Sequence, residues 1–253
     1  MGELSETAKE LNLPKQLLDK GEQAIKAVLG PSITEISETF ADNFRLRRFK
    51  NQVKILTKAQ QYVEKSGLQP KQIDLKVLAP LVQFSSLEEN PDLQEKWSKL
   101  ITNVVLIEGK TLLKQNCIEI ISKLSNEEAI LLDFLHDLFI KKRQARYEKA
   151  KRDQLFKPER ELEDYPLRWF SFSLKEISKG NKIERTDLEL MISNLVALGV
   201  VKWEPEVEVY NAEKSDTDPD DTSLDIDIEV YDSETIRITN LGLEFVQMCK
   251  IKK

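Results

Sequence analysis

The chain has 253 residues and a net charge of −6, with only eight glycines, nine prolines and two cysteines. That length suits one large domain or two small ones, the scarcity of glycine and proline favours long helices over a turn-rich β fold, and the isolated Cys117 and Cys249 exclude a disulfide framework and fit a reducing cytoplasm. No run of about 18 apolar residues exists to span a membrane, the first residues lack the basic-then-apolar pattern of a secretory signal, and Glu6 stands where a myristoylation motif needs Ser or Thr.

Residues 5–29 repeat apolar side chains at helical spacing, with Leu11, Leu17, Leu18, Ile25, Val28 and Leu29 in register. Pro14 divides a short lead-in from the main helix, and Gly30-Pro31 ends it. Ser32 with Glu35 has the spacing of a capping box and opens a second helix, expected to reach Gly67. A third helix is predicted over 74–86, where Pro80 either kinks it or marks its true start. Asn90-Pro91 opens a fourth, because asparagine caps well and proline suits the first helical position. After Gly109 comes a helix carrying Leu112, Leu113, Ile118 and Ile121, and Ser125 with Glu128 is a second capping box opening a helix through Leu131, Leu132, Leu135 and Leu138. Residues 141–160, with nine bases and three acids, read as a solvated helix extension and linker.

Further on, 170–178 reads as a short strand then a helix, and 186–198 as an amphipathic helix closed by Gly199. Val200, Val201 and Trp203 form a strand whose partner is Ile236, Ile238 and Thr239, and a helix closes the chain. The expected fold is therefore mainly α. An N-terminal multi-helix domain (1–123) precedes a winged-helix-like α+β domain (124–253), which includes a basic helical linker (141–160) and a long acidic β-hairpin (204–234).

Charge is sorted along this plan. Residues 204–234 hold thirteen acids against the single base Lys214, a local charge of −12 that leaves the rest of the chain at +6. No acid interrupts residues 45–58, which carry Arg45, Arg47, Arg48, Lys50, Lys54 and Lys58.

Reactive constellations are not found. His136, the sole histidine, reads as a partly buried helix residue, and neither HExxH nor paired-cysteine spacing offers a metal site. No glycine-rich phosphate loop is present. Asp216, Asp218 and Asp220 alternate like the opening of a calcium loop, but Asp221 replaces its glycine and Asp227 its final glutamate. The segment instead reads as a solvated hairpin tip. No catalytic, cofactor-binding or metal-binding residue is nominated, and no cofactor is expected. The helix at 186–198, where a winged-helix protein reads DNA, offers Glu184, Asp187 and Glu189 against Arg185 and Asn194 beside the acidic hairpin, a face that phosphate repels.

Several segments together resemble the abortive-infection alpha family of bacteria. The run from Lys26 to Leu56 is similar to its opening Gly-Pro break and aromatic-basic helix; Gln72 to Asn103 to its proline-containing helix, acidic turn and Trp-centred helix; Ser122 to Leu135 to its Leu-Ser-acid helix; and Ile238 to Cys249 to its closing Leu-Gly-x-x-Phe helix. The resemblance covers roughly 20–250 and implies a role in abortive phage infection without implying a reaction or site residues. The sequence is thus expected to encode a cytoplasmic, non-enzymatic interaction protein of anti-phage defence, with a host or phage protein as partner. Its expected contact residues are Arg45, Arg47, Arg48, Lys50 and Lys54, with Asp216, Asp218, Asp220 and Asp221 on the hairpin. The alternative is a nucleic-acid-binding protein using the basic helices at 45–58 and 141–160. The same sorting of charge leaves room for a homo-oligomer.

Overall fold

The computed structural model describes residues 15–30, 46–152, 167–204, 206–211, 226–231 and 234–251. They are mainly helical, with a small three-stranded antiparallel sheet near the C-terminus. The chain divides into two compact units, Met1–Ile130 with Glu244–Lys253, and Leu131–Leu243.

The first unit holds α1 (Lys15–Leu29), α2 (Leu46–Ser66), α3 (Leu75–Ser85), α4 (Pro91–Leu106), α5 (Thr111–Lys123) and the start of α6 (Asn126–Arg152). Helical periodicity gathers Ile55, Leu56, Leu78, Leu81, Trp97, Leu100 and Ile101 into its buried core. Each such leucine or isoleucine contributes roughly 1.5–3 kcal/mol on leaving water. The α2–α4 pair is fixed in register by small polar residues. The Ser98 and Thr102 hydroxyls, one turn apart, lie 3.0 and 3.4 Å from the carbonyls of Ile55 and Ala59. Each also bonds back to its own helix at 2.8 Å.

The local signals behave as their chemistry dictates. Asn90 Oδ1 accepts from the Asp92 and Leu93 amides, capping α4 just ahead of Pro91. Ser125 and Glu128 close both arms of the capping box at 3.1 and 2.8 Å. Pro80 does not mark the start of α3, which begins at Leu75 and runs through it. Proline deprives the Lys76 carbonyl of its helical donor, and the Gln115 side chain reaches that carbonyl at 3.4 Å. The Ser32–Glu35 pair falls outside the described residues.

The second unit continues α6 into a short 3-10 turn (Leu167–Trp169), β1 (Phe172–Ser173), α7 (Leu174–Asn181), α8 (Arg185–Ala197), β2 (Val201–Trp203), β3 (Glu206–Asn211), β4 (Ile226–Tyr231), β5 (Thr235–Ile238) and the start of α9 (Asn240–Met248). One sheet has the order β1-β5-β2, with Phe172 opposite Ile236 and Val201 opposite Ile238. Gly199, at φ +71°, supplies the left-handed turn from α8 into β2. Phe172, Ile177, Leu188, Ile192, Leu195, Val201, Ile236 and Ile238 are buried in this unit. β3 and β4 form a separate two-stranded ladder running from Glu206–Tyr231 to Asn211–Ile226.

Candidate functional site

Three surfaces follow from this placement, the first on α2. Lys50 and Lys54 lie one turn apart on its exposed face, and the side chain of Arg47 lies outside the described residues. Arg48 is exposed as well, but two residues before Lys50 it sits about 160° round the helix at 100° per residue. The basic run is therefore two edges of a helix rather than one continuous face. Arg48, Lys50 and Lys54 have no carboxylate within ion-pair distance among the described residues. Arg45 lies outside those residues.

Lys58 ends the row differently. Its ammonium is 2.9 Å from one Glu95 oxygen, while Lys99 (3.2 Å) and the Tyr62 hydroxyl share the other. Partial burial pushes the Glu95 carboxyl up, but the hydrogen bonds from Tyr62, Lys58 and Lys99 outweigh it and hold its pKa at about 2. The same bond to Glu95, with burial and its charge, raises the Tyr62 hydroxyl to about 12. This cluster joins α2 to α4 and removes Lys58 from the free cations.

The second surface is the basic end of α6. Residues 139, 142, 143 and 146 share one helical stripe, and that stripe rests on an aromatic shelf. Lys142 lies 4.9 Å from the Phe172 ring centre and Arg146 5.0 Å from Trp169 and 6.0 Å from Phe170, while Arg143 lies 5.7 Å from Phe139 on α6 itself. Phe139 meets Phe170 edge to face at 5.4 Å, and Lys142 is also paired with Glu176 at 2.7 Å. Lys141, Lys149, Lys151 and Arg152 remain exposed and have no carboxylate within ion-pair distance among the described residues. Sequence reasoning took this stretch for a solvated extension and missed the role of the aromatics at 169–172.

The third surface is the hairpin. The ladder pairs Val207 with Val230, Val209 with Ile228 and Glu208 with Glu229, so that apolar positions meet apolar ones and acids meet acids along its register. Asp216, Asp218, Asp220 and Asp221 lie outside the described residues. α8 presents exposed Asp187 and Leu190 after its exposed N-cap Glu184, and its Arg185 is held by Glu189 at 2.8 Å and Glu234 at 2.7 Å.

The model of the abortive infection alpha family matches residues 45–249. This chain belongs to the abortive infection alpha family. No curated protein and no solved structure matches it. Of the segments that carry the family resemblance, the Lys26–Leu56 run enters the matched region from Arg45 onward. The Trp of the Trp-centred helix, Trp97, and the Phe of the closing helix, Phe245, are core residues of this family member, 1% and 2% exposed.

Its reactive side chains are placed for packing. His136 is buried, with Nδ1 3.0 Å from Asp137 Oδ1. Cys117 and Cys249 are free and buried, and burial, with the nearby Glu244 charge, pushes the Cys117 thiol up to about 12, far from a reactive thiolate. Among the described residues no three of His, Cys, Asp or Glu converge as metal ligands, and no helix is long and apolar enough to cross a membrane.

Proposed function

We propose that this member of the abortive infection alpha family acts without catalysis in anti-phage defence, by docking a host or phage protein. The observation that carries the reading is the β3–β4 hairpin, a ladder separate from the main sheet whose register pairs Val207 with Val230 and Val209 with Ile228. A two-stranded hairpin is marginal in water by itself, which suits it to pairing with a partner's surface. The unpaired bases on α2 and α6 offer a second contact of opposite sign.

The order helix, strand, helix, helix, strand, hairpin, strand, with the middle place of the sheet taken by β5, supports reading this part as a winged-helix-like domain with β3–β4 as its wing. Fold analogy alone suggests DNA, but function follows the site rather than the fold. The exposed side of α8 offers carboxylates and Leu190, and Arg185 is already held by two glutamates. That favours protein as the wing domain's partner.

The test is phage challenge of bacteria expressing the chain, with plaque counts and survival scored. Val207, Val209, Ile228 and Val230 are changed to Thr, which keeps strand propensity and removes apolar surface. A second variant changes Lys50 and Lys54 to Ser. Protection is expected from the wild type and loss of it from the hairpin variant, with helical content unchanged by circular dichroism. Full protection by both variants overturns the docking reading, and absence of protection by the wild type against a broad phage panel overturns the defence role.

A second reading, nucleic-acid binding through the basic helices at 45–58 and 141–160, is favoured by Arg146 stacked on the partly exposed Trp169 beside unpaired cations. Mobility shift with mixed DNA and RNA at about 50 mM salt, where phosphate contacts are strong, tests it, and no shift ends it.

A further inference from the structure

We infer that α1 is an exchangeable cover, and that the seam it fills on α2 is a helix-docking site which the α1 of a second copy of this chain also occupies. The inference is independent of the hairpin.

The seam joins small side chains on one helix to apolar ones on the other. Gly21, Ala24 and Val28 recur at helical spacing on one stripe of α1 and are buried, as is Leu29. On α2 stand Phe49 and Val53, one turn apart and both buried. Glycine inside a helix is disfavoured, and space explains its place midway along α1. A Cβ at position 21 would lie 3.0 Å from both Phe49 Cζ and Val53 Cγ2, closer than ordinary contact. The backbone of α1 thus rests directly on these two side chains, and shape specifies the fit.

The hold, by contrast, is light. Among the described side chains of α1, full burial of a sizeable apolar group is confined to Val28 and Leu29. Gly21 and Ala24 add little, because stabilisation follows the apolar area removed from water. A helix of 15 residues is also marginal in water alone, so α1 depends on a groove to receive it.

Placement in the chain gives the cover room to exchange. The family match begins at residue 45, so α1 lies outside the matched region while Phe49 and Val53 lie inside it. Residues 30–45, sixteen in all, separate the end of α1 from the start of α2. At about 3.3 Å per residue they reach about 50 Å when extended, more than the roughly 30 Å length of α2. That tether is long enough for α1 to enter the groove of a neighbouring copy. Shape then selects the occupant: the incoming helix must present glycine where Phe49 and Val53 close in, and α1 is such a helix. Exchanging an identical element is a low-cost route to a dimer, since contacts broken in one copy are remade in the other.

The test mixes two preparations of the full chain, one carrying Gly21→Cys and the other Val53→Cys. Cys117 and Cys249 are buried and do not compete. A disulfide from position 21 of one chain to position 53 of the other forms only when α1 has crossed over. Expected are that bond, identified by mass spectrometry of the oxidised mixture, and a cross-linked fraction that rises with concentration. Sedimentation velocity should show a wild-type dimer over the same range. The double variant, oxidised while dilute, should lock α1 in its own groove, stay monomeric when concentrated, and regain the dimer on reduction. Gly21→Leu jams the seam and should weaken association at least about 10-fold, a loss of about 1.4 kcal/mol. A double variant that forms no bond, a mixture without the 21-to-53 disulfide at any concentration, or a locked variant that dimerises like the wild type overturns the inference. So does a seam that takes up a host or phage protein while two copies stay monomeric.

Discussion

The Asn103 side-chain amide donates to the Met248 carbonyl at 2.7 Å, and its other hydrogen goes to the Lys250 carbonyl at 2.9 Å. Residues 145 and 147 positions apart are thereby joined within one unit, satisfying the carbonyl of Met248, which ends α9 without a helical donor, and that of Lys250 just beyond the helix. The closing segment owes its place to this clamp as well as to the buried Phe245, Val246 and Met248.

Replacing Asn103 by Asp puts acceptors where donors are required. Asn103→Asp is expected to destabilise the chain by about 2–4 kcal/mol and Asn103→Ala by about 1–3 kcal/mol, since lost partners leave polar groups unsatisfied. Urea unfolding measures both, and a shift smaller for Asp than for Ala would contradict the donor role.

A second closing-helix prediction concerns Gly242. A Cβ there would sit 2.2 Å from the Val200 carbonyl oxygen and 2.9 Å from Ile238 Cγ1. Backbone cannot yield as a flexible side chain can, so Gly242→Ala must move α9 away from β2. A loss of about 3 kcal/mol or more is expected, at the severe end for one substitution. Gly30→Ala serves as the contrast, because its Cβ meets nothing within 4 Å. It should lie within about 1 kcal/mol of the wild type. Thermal unfolding of the pair decides, and equal melting temperatures would refute the contact.

Much of this fold was legible because its signals are local. Asn90-Pro91 and the Ser125–Glu128 box act within four residues, so chemistry at one position reports the structure there. The partnership of Val201 with Ile238 was also readable, since both strands are short apolar runs beside clear helices. Less was legible at the candidate site. The central place of β5 between β1 and β2 depends on residues more than sixty positions apart. The basic run at 45–58 reads as one patch in sequence, yet helical rotation separates Arg48 from Lys50. The pairing of Val207 with Val230 and of Val209 with Ile228 becomes visible once the register of the hairpin is set.

Basic residues on α6 divide into anchors and free cations, which makes Arg146 informative. Its guanidinium carbon lies over the Trp169 ring at 5.0 Å and reaches Phe170 at 6.0 Å, a double contact for which the broad guanidinium is better suited than an ammonium. Arg146→Lys keeps the charge and should lose part of the stabilisation, while Arg146→Ala loses about 0.5–1 kcal/mol from the cation–π contact. Tryptophan emission should shift to the red as Trp169 becomes wetter. Indistinguishable stability and emission for wild type and Arg146→Ala would remove the shelf as the anchor of α6.

The Glu95 cluster fixes a pH signature. Its folded pKa, about 2, lies below the ordinary 4.5, so the stability it confers is fully present above about pH 5 and is lost as pH falls from 4.5 towards 2. Tyr62 gives the opposite edge. Its hydroxyl is raised from 10.0 to about 12, so the unfolded chain releases that proton first and stability declines as pH rises through this window. Glu95→Gln should therefore cost on the order of 1 kcal/mol at neutral pH, where the charged acceptor serves three donors. The difference from wild type should shrink steadily below pH 4.5 and almost vanish near pH 2. Tyr62→Phe should flatten the alkaline decline between pH 10 and 12 and leave part of the acid response, since Lys58 and Lys99 still hold the carboxylate. Urea unfolding at fixed intervals of pH gives both curves. An acid-side difference between wild type and Glu95→Gln that stays constant down to pH 2 would show that the charge on Glu95 does not join α2 to α4.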